Sequence, residues 1–265
     1  MSGRECPTRQ RRAELSQHFL RDASAARLVR ATSLSKTDLV IEIGAGRGAL
    51  TKPLTKIAGR IIAVELDGHL AAKLRRDLSK NLEVISADFL KFELPAEPYS
   101  VVGNVPFART TEIIRKLSSE AQPPKDAWLV VQRELANRMC GRPYGKETLW
   151  SLRLKPFWHL EIVSRLKKTE FDPPPAVDSV FLHMSHRGRT IIRNDEIPAY
   201  LDLLETTFER NTSLGQSLRL RFSKLQLRRL ASDLCFSVHD LPADLMFEQW
   251  LGIFRFSQSD TSNYK

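Results

Sequence analysis

Cysteine is scarce in this chain of 265 residues: Cys6, Cys140 and Cys235 are odd in number and far apart. That excludes a disulfide framework, and since none stands near histidine at ligand spacing, no metal site is expected. His183 and His186 are three apart on a predicted strand, which points them to opposite faces. Long hydrophobic runs are also missing, none approaching the roughly 20 residues of a membrane-spanning helix. The polar, arginine-bearing N-terminus lacks the apolar stretch of a secretory signal, so a cytoplasmic protein without a membrane partner is the expectation. Acidic residues are the third shortfall, 31 against 41 lysines and arginines, for a formal net charge of +10. Such a balance favours a polyanionic partner, nucleic acid first.

The basic residues are grouped. Arg4, Arg9, Arg11 and Arg12 form an N-terminal arm; Lys155, Arg165, Lys167 and Lys168 form a second group. Arg210, Arg219, Arg221, Lys224, Arg228 and Arg229 form a third, in a stretch of helical spacing.

From Leu39 to Val131 short apolar runs alternate with amphipathic segments. Leu39–Ile43, Ile61–Val64, Leu82–Ile85, Val101–Gly103 and Trp128–Val131 read as strands. Leu50–Ile57, His69–Leu78 and Thr111–Leu117 read as the helices between them, so crossovers can cover both faces of a parallel sheet. Pro53 falls in the first turn of its helix, where a missing N–H costs least. Two further strands, Leu160–Ser164 and Val180–Met184, follow a glycine- and proline-bearing loop. Phe171-Asp172-Pro173-Pro174-Pro175-Ala176-Val177 reads as a rigid loop. Past Arg193 only helical signals remain: Ile197–Phe208, a capping-box candidate at Ser213-Leu214-Gly215-Gln216, then Leu218–Leu230. Phe208, Phe222 and Phe236 fit core positions there, and Ser257–Lys265 reads as a frayed end. The expected organisation is a basic arm over residues 1–15, an α/β domain over 16–187 and a small all-helical domain over 188–265.

Two segments carry chemistry. Glu42-Ile43-Gly44-Ala45-Gly46-Arg47-Gly48 follows a strand, so its glycines fall at a strand-to-helix turn where backbone approaches a ligand and free N–H groups point outward. Glu65, ending the next strand, can accept from both hydroxyls of a ribose. Asp88 closes the third strand and can accept from an adenine amine, with Phe89 against the ring. This half does not separate methyl transfer from hydride transfer, because Gly44-Ala45-Gly46-Arg47-Gly48-Ala49 also fits the looser dinucleotide pattern.

Asn104-Val105-Pro106-Phe107 chooses between them. It supplies a side-chain amide, a carbonyl, a proline without an N–H and an aromatic face, a set suited to a planar heterocyclic amine. Acceptors on such an amine favour a rehybridised nitrogen and aim its lone pair at a methyl donor, without a strong base.

These segments, with Ser16-Gln17-His18-Phe19-Leu20 and Phe171-Asp172-Pro173-Pro174-Pro175-Ala176-Val177-Asp178-Ser179, resemble the ribosomal RNA adenine N6-methyltransferases from about Ser16 to Met184. Phe107, Thr148-Leu149-Trp150 and Glu248-Gln249-Trp250-Leu251 are more similar to the Erm resistance enzymes than to the KsgA-type biogenesis enzymes, the alternative, which act on small-subunit RNA. The resemblance implies a Rossmann-like methyltransferase sheet with helices on both faces and a helical RNA-binding domain. It also implies S-adenosyl-L-methionine as donor, S-adenosyl-L-homocysteine as product, and a single adenine in the macrolide-binding region of 23S ribosomal RNA as acceptor, before full assembly of the large subunit. By the same resemblance Gln17, His18, Leu20, Gly44, Ala45, Gly46, Gly48, Glu65, Leu66, Asp88, Phe89 and Asn104 hold the donor. Asn104, Val105, Pro106 and Phe107 act on the target, and Phe107 and Phe171 sandwich the flipped base. Arg9, Arg11, Arg12, Arg219, Arg221, Lys224 and Arg228 are expected to contact RNA phosphates, and one chain suffices. His18 stands where this family more often has asparagine; both donate a hydrogen bond, so donor binding is expected to persist.

Overall fold

The computed structural model describes residues 18–76, 79–119, 121–210 and 212–262. The N-terminal arm, Gln17, Arg9, Arg11 and Arg12 lie outside them. The chain divides into two compact units, one running through Ala136 and resuming over His159–His186, the other comprising Asn137–Trp158 and the chain from Arg187.

The first unit is built on a mixed sheet. Its strands are β2 (Leu39–Ile43), β3 (Arg60–Glu65), β4 (Leu82–Ser86), β5 (Ser100–Asn104), β6 (Asp126–Gln132), β7 (Trp158–Leu166) and β9 (Ser179–His186), in the order β4-β3-β2-β5-β6-β9-β7. The pairs from β4 to β6 are parallel and β9 is antiparallel to β6. β2 is buried along its whole length, as a strand covered on both faces must be. Helices α1 (Asp22–Arg30) and α2 (Thr51–Ile57) contribute Ala25, Leu28, Val29 and Leu54 to a core shared with Val40, Val102, Val130 and Phe181. α3 (Gly68–Leu74) packs Leu74 against Ala45 and Ala63, and α4 (Thr110–Ser119) buries Ile113, Ile114 and Leu117. Two two-residue strands, β1 (Phe19–Leu20) and β8 (Phe171–Asp172), pair antiparallel with Leu20 opposite Phe171, joining segments some 150 residues apart in sequence.

Because β2 leads outward to β3 while β5 leads the other way to β6, the chain reverses direction between the adjacent strands β2 and β5. Open α/β sheets bind ligands outside the carboxyl ends of strands at such a point.

The second unit resumes at Arg187, beside the expected boundary, but also takes in an earlier segment. Asn137–Trp158 belongs to it because α6 (Leu149–Leu154), which follows α5 (Arg133–Cys140), buries Leu152 with Tyr200, Leu203, Leu204, Trp250 and Phe254. The Tyr200 hydroxyl donates to the Leu152 carbonyl at 3.0 Å. Lys155, grouped in the sequence with Arg165, Lys167 and Lys168, pairs with the buried carboxylate of Glu147, which also accepts from Ser151 Oγ at 2.6 Å. α7 (Ile197–Phe208) forms over the residues expected. The helix expected from Leu218 does not: α8 (Leu214–Ser217) stops early, and α9 (Lys224–Asp233) begins behind a second Ser-x-x-Gln. Ser223 Oγ accepts from the Gln226 N–H at 3.2 Å and Gln226 Oε1 from the Ser223 N–H at 2.8 Å, whereas Ser213 makes no side-chain cap. Phe222 is core, with Phe208 and Phe236 packed against it. α10 (Phe247–Ser262) continues through the first residues of the supposed frayed end, anchored by buried Trp250, Ile253 and Phe254.

Candidate active site

The turn after β2 is held open by backbone that only glycine adopts easily. Gly44, Gly46 and Gly48 have φ of +67°, +56° and +83°. A Cβ on Gly46 would also stand 2.9 Å from the Phe19 ring, so a side chain there would close the approach to the backbone. Gly44 donates its N–H to the Val64 carbonyl at 2.9 Å, fastening the turn to β3.

Glu65 ends β3 almost wholly buried. Its Oε2 accepts from the Gly46 N–H at 2.7 Å and its Oε1 from the Asp67 N–H at 2.8 Å. Burial pushes its carboxyl above the ordinary 4.5, opposed by those same amides. Each oxygen keeps a further lone pair for a ligand hydroxyl. Beneath the turn, Glu42 is pushed up to about 7 by burial. Its Oε2 and Thr51 Oγ1 are buried without a hydrogen-bond partner.

Asp88 caps the short helical turn after β4, accepting from the Leu90 N–H at 3.0 Å. Arg109 Nη1 lies 3.2 Å from its Oδ2. Across the cleft Asn104 ends β5, and its Nδ2 donates to the His18 carbonyl at 2.6 Å. That bond occupies one of the amide's two N–H groups and orients the side chain, with Oδ1 as its acceptor. The Pro106 carbonyl is taken by the Arg109 N–H at 2.9 Å and the Thr110 hydroxyl at 3.1 Å, forming a tight turn that presents Phe107. The Phe107 ring is half-buried, its centroid 5.9 Å from that of His18. His18 Nδ1 is 3.0 Å from the Pro173 carbonyl.

One cavity joins these parts. Its walls include His18, Gly44, Gly46, Glu65, Leu66, Asp88, Phe89, Asn104, Val105, Pro106 and Phe107, so most of the residues singled out from sequence converge. Four do not line it. Ala45 packs with Ala63 and Leu74, and Gly48 lies against Leu74. Leu20 is buried in the core, because side chains alternate along β1 and the wall position falls to Phe19, with Arg47 Cζ 4.4 Å above its ring. Phe171, expected to stack on the base, is fully buried in that core. Its neighbour Asp172, on the other side of β8, is exposed. Phe19 and Arg109 are among the wall residues sequence reading missed; alternation about Leu20 was the available signal for the first.

In the helical unit Arg219, Arg221, Lys224 and Arg228 are exposed, as expected of phosphate contacts. Arg221, however, is engaged, with Nη2 2.5 Å from Asp202 Oδ2 and 3.1 Å from Thr206 Oγ1. Among the described residues no cluster of three or more His, Cys, Asp or Glu could hold a metal, and no helix is long and apolar enough to cross a membrane.

Comparison with known proteins matches this arrangement to one family. The family model for ribosomal RNA adenine dimethylase matches residues 8–258. A probable ribosomal RNA small subunit methyltransferase A of Pyrobaculum aerophilum is 36% identical, over 72% of this chain and 82% of the relative. The mycinamicin-resistance protein MyrB of Micromonospora griseorubida is 30% identical, over 92% of this chain and 78% of the relative. The crystal structure of the 23S rRNA methyltransferase ErmE superposes with a TM-score of 0.84 at 27% identity, covering 91% of this chain and 99% of that one. The chain belongs to the ribosomal RNA adenine dimethylase family.

Proposed function

We propose that this protein methylates N6 of a single adenine in the macrolide-binding region of 23S ribosomal RNA, taking the methyl group from S-adenosyl-L-methionine and thereby conferring macrolide resistance. The observation that carries the chemistry is the Asn104 amide, fixed by the His18 carbonyl with Oδ1 left as acceptor at the reversal point of the sheet. Likeness to ErmE over nearly the whole chain, and to the resistance protein over 92% of it, favours the large-subunit substrate.

The cavity suits the donor: glycines whose Cβ positions ligand or Phe19 would fill, a buried carboxylate for the ribose and Asp88 with Phe89 for the adenine. When bound, S-adenosyl-L-methionine supplies an electrophilic methyl group on sulfur. Asn104 Oδ1 and the Val105 carbonyl accept from the two N–H groups of the target amine, concentrating its lone pair on nitrogen. Phe107 stacks on the base after it leaves the RNA stack. The proton lost from the product amine is acidic enough to pass to water, so no side chain is assigned as base. Arg219, Lys224, Arg228 and the arm residues Arg9, Arg11 and Arg12 hold phosphates without reading sequence. The working form is a cytoplasmic monomer acting on RNA not yet fully assembled into the large subunit.

Incubation with tritiated S-adenosyl-L-methionine and protein-free 23S RNA, followed by primer extension, tests this. A stop at the macrolide-site adenine that is weaker with assembled large subunits is expected. Label confined to small-subunit RNA would assign the biogenesis reaction instead.

A further inference from the structure

The cavity wall holds an ion pair of which the proposed chemistry uses only the carboxylate, Asp88. Arg109 reaches Asp88 from the turn after β5, with Nη1 3.2 Å from Oδ2 and 3.4 Å from Oδ1, while Nη2 lies 3.4 Å from Glu112 Oε2. Both members of the pair line the cavity beside Phe89 and Leu90. The Arg109 side chain is 38% exposed and that of Asp88 23%, and ion pairs so open to water add little to stability.

Orientation is what the pair does supply. The terminal torsion of an aspartate is broad, so a lone carboxylate swings. Here the Leu90 N–H holds Oδ1 and a single guanidinium nitrogen, Nη1, sits within reach of both oxygens, which limits that swing. Although burial acts the other way, the amide and the guanidinium together keep the carboxyl below its ordinary value, so it accepts and does not donate. A fixed, acceptor-only oxygen attracts an exocyclic amine and repels an exocyclic carbonyl.

We propose that Arg109 is a positioning residue that fixes Asp88 as acceptor for the donor's adenine amine, so that the site prefers adenine to a 6-oxopurine. This rests on reading the cavity as the S-adenosyl-L-methionine site. Arg109 also closes the turn that carries Phe107, its N–H on the Pro106 carbonyl, which places the residue that orients the adenine acceptor and the target-base platform on one short segment.

Calorimetric titration of the full-length protein with S-adenosylhomocysteine and S-inosylhomocysteine tests the proposal. The wild type is expected to bind the adenosyl compound at least about tenfold more tightly, one hydrogen bond's worth of discrimination. Arg109→Met should weaken S-adenosylhomocysteine about tenfold and S-inosylhomocysteine no more than about twofold, and Arg109→Lys should recover part of the loss. Asp88→Asn combined with Arg109→Met should bind no more weakly than Asp88→Asn alone, since the arginine acts through the carboxylate. Unchanged preference in Arg109→Met, or additive losses in the double variant, overturns the role of Arg109 and leaves the donor site standing. A folded wild type that binds neither compound overturns the donor reading and this proposal with it.

Discussion

Glu42 lies under the glycine turn as a buried carboxyl that burial raises from 4.5 to about 7. Between those values the unfolded chain gives up the proton while the folded chain keeps it, so this group lowers stability as pH rises from about 4.5 to about 7, and no further above that. Glu42→Gln removes the titration. Its melting temperature should match the wild type near pH 4 and exceed it at pH 8, by the equivalent of about 1–3 kcal/mol. A pH-independent difference would mean that the carboxyl is ionised in the fold. Phe107 gives a second residue-level test, because its ring lines the cavity close to Asn104. Phe107→Ala should slow methyl transfer by about 5- to 150-fold, the worth of one stacked base, and Phe107→Tyr should retain it. Affinity for S-adenosylhomocysteine, measured by calorimetry, should stay within about twofold in both; a large loss of that affinity would place Phe107 in the donor site instead.

At the scale of elements, the two Ser-x-x-Gln segments separate sequence pattern from structure. Both Ser213–Gln216 and Ser223–Gln226 fit a capping box, yet only Ser223 caps a helix. Ser223→Ala should cost about 1 kcal/mol and Ser213→Ala a few tenths at most, read by thermal melting followed by circular dichroism. Equal losses would contradict the assignment. The same contrast shows what was legible. Parallel strands such as β2 and β6 are mostly apolar runs, so their positions could be read directly, and the turns after β2 and β5 located the cavity. β1 and β8 are two residues long and stabilised by each other across some 150 residues, which no local pattern announces. Their pairing buries Leu20 and Phe171 and delivers Phe19 to the wall, a placement the motifs alone do not announce. α6 escaped for a related reason: Leu152 finds its apolar partners in helices roughly 50 and 100 residues later.

At the scale of the whole molecule, the net charge of +10 implies strong salt dependence of RNA binding, but not every cation contributes equally. Lys155 neutralises buried Glu147, and Arg221 is held by Asp202. Arg219→Ala should therefore reduce the slope of log affinity against log salt by about 0.7–0.9, the value for one phosphate contact, while Arg221→Ala changes it less. Filter binding across a salt titration checks this, and equal slopes for both variants and the wild type would remove the helical unit from the RNA contact. Charge delivers substrate; the chemistry depends on the amide fixed at the end of β5. The most direct measurement is the single-turnover rate of methyl transfer to 23S RNA by Asn104→Ala, with donor affinity measured alongside. The geometry predicts a loss of about 10²–10³ in rate, as for removal of one oriented polar group, with donor affinity weakened no more than about tenfold. Transfer at the wild-type rate would contradict the assignment of Asn104 to the target amine.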